Sequence, residues 1–134
     1  MIVVDANILI YSLIEGDYTP LVNKLRERDM DWRTTGLCLH ETVNVLATYQ
    51  WRDILTLAQC KKLLAHAEIF MEEAQCEVKM DAALTVAAKY AITGYDAQYV
   101  ALAHSLNAPL ITEDRKLREA VPGIAFSMQE FLVQ

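Results

Sequence analysis

The chain reads as an α/β protein: a three-layer α/β/α sandwich around a short central parallel sheet, built from a single domain over residues 1–134. Three observations predict this. Short β-branched or apolar runs, Ile2-Val3-Val4 and Leu110-Ile111 among them, recur along the chain. Longer stretches with helical periodicity and cap residues separate them. Strands that alternate with helices in this way form a parallel sheet covered on both faces.

Taken in order, Ile2 to Val4 is a buried strand, and Ala6 to Ile14 a helix that ends before the loop residues Gly16 and Asp17. Thr19 is expected to cap a second helix, with Pro20 at its first position, where a missing N–H costs nothing. That helix runs to about Arg28. Trp32 to Thr35 is a strand. Gly36 turns the chain into a helix that carries Glu41 and reaches about Trp51. Thr56 caps the next, whose apolar positions Leu57, Cys60, Leu63, Leu64, Ala67 and Phe70 follow a period near 3.6. Cys76 to Lys79 is a short strand candidate. Asp81 is expected to cap a helix that Gly94 terminates, and Asp96 to open another that Asn107-Ala108 break. Pro109 to Thr112 is a strand and Asp114 to about Val121 a short helix ended by Pro122-Gly123. Ala125-Phe126 forms a last strand, and Ser127 with Glu130 makes a capping box for a final helical turn.

Composition narrows the class. At 54% hydrophobic and 22% charged residues, the chain has what a folded core needs. No apolar run approaches the roughly 18 residues of a membrane span, and the N-terminus has no signal-peptide pattern. The three widely spaced cysteines, Cys38, Cys60 and Cys76, fit neither a disulfide framework nor a zinc spacing, and read as reduced thiols of a cytoplasmic protein. The net charge of −6 argues against a polyanionic partner, but binding follows local fields. The cations are partly clustered: Lys24, Arg26, Arg28 and Arg33; Lys61 and Lys62; Arg115, Lys116 and Arg118. Each cluster fits a solvated helix face. The third directly follows Asp114.

Four acids stand in apolar settings: Asp5, Glu41, Asp96 and Asp114. A carboxylate at the edge of a core costs desolvation energy unless something pairs with it, and only Arg115 is adjacent to any of them. Asp5 and Asp114 fall just past strand ends, Asp96 at a helix start, and Glu41 early in a helix. In a parallel sheet these positions converge outside the carboxyl ends of the strands. Each aspartate also fits a helix cap, and Glu41 a surface position; the joint pattern points instead to a divalent-metal site.

The same residues carry a family resemblance. Val4-Asp5-Ala6-Asn7-Ile8-Leu9-Ile10, Glu41-Thr42-Val43-Asn44-Val45-Leu46, Tyr95-Asp96-Ala97-Gln98-Tyr99-Val100-Ala101-Leu102-Ala103 and Pro109-Leu110-Ile111-Thr112-Glu113-Asp114-Arg115 occur in this order. In that order and spacing the chain resembles the PIN-domain ribonucleases, and within them the VapC-type toxins of bacterial toxin–antitoxin pairs. One departure is Ala6, where many relatives carry Thr or Ser; if that hydroxyl helps hold metal or substrate in them, Asn7 or Thr112 would have to do so here.

The resemblance implies an endoribonuclease that hydrolyses RNA phosphodiesters with water activated by Mg²⁺ or Mn²⁺, hard cations that prefer carboxylate oxygens. Asp5 and Asp96 are the expected direct ligands. Glu41 and Asp114 bind directly or through water, and either takes the proton of the attacking water. Asn7 and Thr112 are neutral polar neighbours expected to position Asp5, a water or a phosphate, a turn or capping role being equally open for each, and Arg115 is expected to position substrate. His40, next to Glu41, is read as a surface residue or one behind the metal ligands, because adjacent helix positions point apart; His66 and His104 are lone helix residues. The resemblance further implies a homodimer and a small antitoxin whose Arg or Lys enters the acidic pocket, with an apolar segment near Leu13, Leu37 and Leu46. Two other readings fit less well. A phosphatase of the haloacid-dehalogenase type wants a second Asp two residues after the first, where Asn7 stands, and a receiver domain wants paired acids after the first strand. A catalytically silent interaction module would not keep all four acids.

Overall fold

The computed structural model describes residues 1–134. Thirteen elements follow one another: β1 (Ile2–Val4), α1 (Ala6–Leu13), α2 (Thr19–Arg28), β2 (Trp32–Thr35), α3 (Leu37–Trp51), α4 (Leu57–Ala74), β3 (Gln75–Cys76), α5 (Met80–Tyr90), α6 (Gly94–Leu106), β4 (Leu110–Ile111), α7 (Arg115–Ala120), β5 (Ala125–Phe126) and α8 (Met128–Leu132). The five strands form one parallel sheet in the order β3-β2-β1-β4-β5. No helix is long and apolar enough to cross a membrane.

The period-2 geometry of β1 sends its side chains to opposite faces of the sheet. Val3 joins a core with Leu110, Cys38 of α3, Ala67 and Met71 of α4, Tyr99 and Leu102 of α6, and Leu117 of α7. Ile2 and Val4 join a second core with Ile111, Val22 and Leu25 of α2, and Met128 of α8. Helix α1 feeds both, Leu9 to the first and Ile8 to the second. Each such fully buried aliphatic contributes about 2 kcal/mol. The predicted sandwich is therefore present, with apolar contacts on both sides of a sheet only two to four residues deep.

Several boundaries differ from the sequence reading, each for a local reason. Helix α1 stops at Leu13, and Ile14 is already extended. Helix α2 begins at Thr19 rather than after it. Tyr18 holds the cap position, and the Thr19 hydroxyl instead accepts from the Gly16 N–H at 2.9 Å. Strand β3 lies at Gln75–Cys76, because its only pairing partners in β2 are Thr34 and Thr35; Glu77 to Lys79 have no ladder to join. Gly36 meets that strand closely: a Cβ there would lie 3.0 Å from Gln75 Nε2.

The junction between α5 and α6 departs most. Lys79 holds the N-cap of α5 and makes no side-chain cap bond, while Asp81 lies in the first turn, where its charge suits the helix dipole. Ala91, left-handed at φ 55°, ends α5, and Gly94 is the first residue of α6. Thr93 caps α6 by accepting from the Asp96 N–H at 3.0 Å, so Asp96 is the third residue of the helix and not its opener. At the other end Asn107, left-handed at φ 50°, closes α6 as expected. The capping box of Ser127 with Glu130 is formed as expected, and the cap at Thr56 is extended into a second box by Gln59.

Candidate active site

In the order β3-β2-β1-β4-β5 the chain moves outward from β1 to β3, then crosses back to β4 on the other side of β1. The two connections diverge from β1 and β4, and they leave a crevice outside the carboxyl ends of those strands. Asp5 directly follows β1, and Asp114 stands three residues past β4. Asp96 comes to the same end on the first turn of α6, and Glu41 on the second turn of α3. All four line one cavity of about 580 Å³. None of its twelve lining residues is Lys or Arg.

The carboxylates are held by specific bonds. Asp5 Oδ1 accepts from the Ile8 N–H at 3.1 Å, so Asp5 caps α1 and lines the cavity together. Its Oδ2 accepts from the Thr112 hydroxyl at 2.5 Å. The same hydroxyl oxygen accepts from the Asp114 N–H at 3.1 Å, and Asp114 Oδ1 accepts from the Leu117 N–H at 3.2 Å to cap α7. Thr112 is fully buried and does not line the cavity. It works through Asp5 and Asp114, linking two strand ends. Glu41 Oε1 accepts from the Tyr99 hydroxyl at 2.5 Å. Asp5 and Asp114 thus cap helices with the same carboxylates that line the cavity, whereas Asp96 caps nothing because Thr93 holds that position in α6.

Electrostatics show that the acids feel one another. Burial pushes the Asp5 carboxyl up to about 6, and the charges of Glu41 and Asp114 add to it, against the lowering effect of the Thr112 and Ile8 bonds. Burial also raises Asp96, reinforced by Asp114 and opposed by its bond with Thr93. The sequence reading brought the four acids together, and the structure spaces them around the cavity wall. No three His, Cys, Asp or Glu side chains are grouped closely enough to hold one metal ion between them. An ion held there would have to retain much of its water. Mg²⁺ dehydrates reluctantly and is usually bound through one or two carboxylates, the rest of its shell being water. Each carboxylate oxygen that accepts one hydrogen bond keeps a second lone pair. The donor set, all oxygen and without a competing cation, fits a hard divalent ion.

Three other expectations come out differently. Asn7 is exposed and lines the cavity, but Arg115 does not; it pairs with Glu119 at 3.0 Å on the outer side of α7, 84% exposed. His40 does line the cavity beside Glu41, because the cavity is wide enough to take side chains from neighbouring positions of α3. The groove expected near Leu13, Leu37 and Leu46 is only partly available. Leu37 lines the cavity, while Leu46 is 4% exposed. Most of the arginines are committed within the chain: Arg26 over Trp32, Arg28 to the Leu132 and Gln134 carbonyls, Arg33 to Asp31, and Arg118 to Glu130 and the Thr112 carbonyl.

Sequence reasoning did not assign Tyr99, Tyr95, Asn44 or Thr93 to the site. Two signals were available. Thr93 and Asp96 have the spacing of a capping box, which would have fixed the start of α6. Tyr99 lies three positions after Asp96, on the same side of the helix. A larger cleft of about 710 Å³ exists between α2, β2 and α4, but its Arg26 and Arg33 are mixed with Glu27, Asp31, Glu72 and Glu73. Its four acids share the cleft with two arginines, one of them paired with Asp31, whereas the four acids of the acidic cavity face none.

Comparison with known proteins identifies the family and the fold. The model of the PIN domain family matches residues 2–121. A curated relative, Ribonuclease VapC3 of Pyrobaculum aerophilum, is 28% identical over 127 residues, which cover 92% of this chain and 96% of that protein. A crystal structure from Pyrobaculum aerophilum superposes with a TM-score of 0.75 at 25% identity, covering 98% of this chain and 92% of the other. A chain of a toxin–antitoxin complex from Klebsiella pneumoniae shares the fold at a TM-score of 0.71 and 14% identity, covering 96% and 98%. Motif order, sheet topology and a family match across nearly its whole length agree: the chain belongs to the PIN domain family.

Proposed function

We propose that this protein is an endoribonuclease that hydrolyses RNA phosphodiesters with Mg²⁺ or Mn²⁺, and that it is the toxin of a toxin–antitoxin pair. One observation carries the reading: four carboxylates from four separate elements line a single cavity at the sheet's switch point without a cation among them. Membership of the PIN domain family and a relative named as a ribonuclease support it.

Asp5, Glu41, Asp96 and Asp114 are the residues that would hold the metal, some of them through water. When bound, the ion supplies Lewis-acid stabilisation of the charge that develops on the phosphate and lowers the pKa of water. The chain's own residues do the rest. Thr112 and the Ile8 N–H fix the Asp5 carboxylate, and α7 fixes Asp114 through its own first turn. Tyr99 holds Glu41 Oε1 and leaves Oε2 without a protein partner, in position to take a proton from an attacking water. Tyr95, 66% exposed on the cavity wall, offers a ring face to an unpaired base, with the Asn7 and Asn44 amides as polar neighbours.

The expected result is cleavage of unpaired RNA in Mg²⁺ or Mn²⁺, its loss in EDTA and its return when metal is restored. Asp96→Asn should lose both cleavage and calorimetric Mn²⁺ binding. The spacing of the acids is the observation that favours a non-catalytic module, and the same assay decides between the two. Cleavage that survives EDTA, or equal Mn²⁺ binding by wild type and Asp96→Asn, overturns the metal-nuclease reading.

The partners follow from charge. A chain of net −6 whose arginines are largely occupied needs help to hold RNA, and a homodimer pools its free lysines, among them Lys61, Lys62 and Lys116. An antitoxin segment bearing Arg or Lys would pair with the unpaired carboxylates and displace the metal. Light scattering at micromolar concentration should give a dimer mass. Replacing every cation of the antitoxin's inhibitory segment should restore cleavage; inhibition that persists would show that blocking comes from covering the cavity alone.

A further inference from the structure

We propose that Tyr99 is a positioning residue for Glu41, acting through one hydrogen bond between α6 and α3; the proposal rests on the metal-nuclease reading above. Tyr99 is 2% exposed and ranks among the largest fully enclosed side chains of the protein. Its ring packs in the first core with Val3, Cys38 and Leu102, while its hydroxyl reaches the cavity and donates to Glu41 Oε1 at 2.5 Å. This is the bond the structure gives the Glu41 carboxylate, made across 58 positions of sequence. A phenol is protonated at neutral pH and a carboxylate oxygen can only accept, so Tyr99 is the donor in this bond.

The geometry gives the bond a task. Glu41 is a long, half-buried side chain on α3, with several rotamers open to it in a cavity of about 580 Å³. A rigid aromatic anchored in the core removes that freedom, and it fixes one oxygen while leaving the other to the cavity. Tyr99 also shares α6 with Asp96 at a spacing of three, so any shift of α6 carries both the acid and the clamp. Partners that orient metal ligands commonly change affinity or activity by about 10- to 100-fold when removed.

The test uses the full chain with Tyr99→Phe, Glu41→Gln and the double variant. RNA cleavage, calorimetric Mn²⁺ binding to the metal-free protein, and thermal melting are measured on each. Tyr99→Phe should lower kcat about 30-fold and weaken Mn²⁺ about 10-fold, with KM for RNA within about twofold of wild type. In the Glu41→Gln background the same change should have no further effect, because the clamp then has no carboxylate to hold. Wild-type kcat in Tyr99→Phe, or losses that multiply in the double variant, overturns the proposal. Tyr99→Met removes the hydroxyl with different packing, and equal kcat losses in both variants support the clamp. A loss in only one of them, accompanied by a drop in its melting temperature, assigns the effect to packing and overturns it. If the wild type neither cleaves RNA nor binds Mn²⁺, the metal-nuclease reading fails, and with it the premise of the clamp.

Discussion

Asp5→Asn is expected to abolish RNA cleavage, by about 100-fold or more, and at the same time to raise the melting temperature at pH 7.5 in EDTA. The two effects have one cause. Burial and the charges of Glu41 and Asp114 hold the Asp5 carboxyl at about 6 against an ordinary 3.8. Because the folded-state value is raised, the protonated form is the one that folding favours. Its contribution to stability is full below about pH 3.8 and is lost as pH rises through about 6. At pH 7.5 the folded wild type therefore carries a penalty of about 3 kcal/mol, at 1.36 kcal/mol per unit. Asparagine imitates the neutral form. Its Oδ1 still accepts from the Ile8 N–H and caps α1, as asparagine does well. It loses the charge-assisted bond from Thr112, a cost of about 1 kcal/mol. A net gain of about 1–2 kcal/mol remains at pH 7.5, and near pH 4, where the penalty is gone, it should turn into a loss of about 1 kcal/mol. EDTA matters, because a bound ion would stabilise the wild type by mass action and mask the difference. Melting curves at the two pH values, with a fluorescent RNA assay, check both halves. A lower melting temperature at pH 7.5 would show that Asp5 is not an ionised, repelled group in the folded protein.

What the sequence disclosed and what it withheld divide along the range of the interactions. Asp5 and Asp114 were legible because each closes an apolar run, and a strand end in a parallel sheet has a known relation to a site. The Ser127–Glu130 capping box and the Thr56 cap were legible because a cap needs only a local spacing. At the start of α6 a local signal was misweighed: Gly94 was read as a helix terminator, while Thr93 makes a cap strong enough to draw Gly94 into the next helix and leave Ala91 to turn the chain. Strand β3 was misplaced because propensity within Cys76–Lys79 says nothing about where β2 offers partners. Arg115 looked like a site residue by adjacency to Asp114, yet the first turn of α7 rotates it towards Glu119 four positions on. The bond from Thr112 to Asp5, across 107 positions, was among the roles open to Thr112 once the strand ends were placed, whereas that from Tyr99 to Glu41, across 58, depends on how α6 packs on α3 and has no signature in any window of sequence.

Thr112→Val is expected to do the opposite of Asp5→Asn to stability while also reducing activity. The substitution keeps the branched shape of a side chain that is completely buried, so packing against β4 is preserved and the hydroxyl alone is removed. Two bonds go with it. Asp5 Oδ2 loses its donor, and the Asp114 N–H loses its acceptor. An unsatisfied buried polar group costs about 1–3 kcal/mol, more where the group is charged. The charged half of that cost belongs to Asp5. The Thr112 bond is the larger of the two that hold the Asp5 carboxyl down, so its removal moves that carboxyl further up and deepens the penalty for ionising it. Below about pH 3.8 Asp5 is neutral in both proteins, and only the smaller cost at the Asp114 N–H persists. The destabilisation should therefore be about 2–3 kcal/mol at pH 7.5 and about 1 kcal/mol near pH 4, a pH dependence that a simple packing defect would not produce. Cleavage should fall by about 10- to 100-fold, since Asp5 and the start of α7 are no longer tied to one atom. Denaturant unfolding at both pH values measures the first effect and RNA cleavage the second. Equal destabilisation at the two pH values would mean that Thr112 supports the fold without bearing on the charge of Asp5.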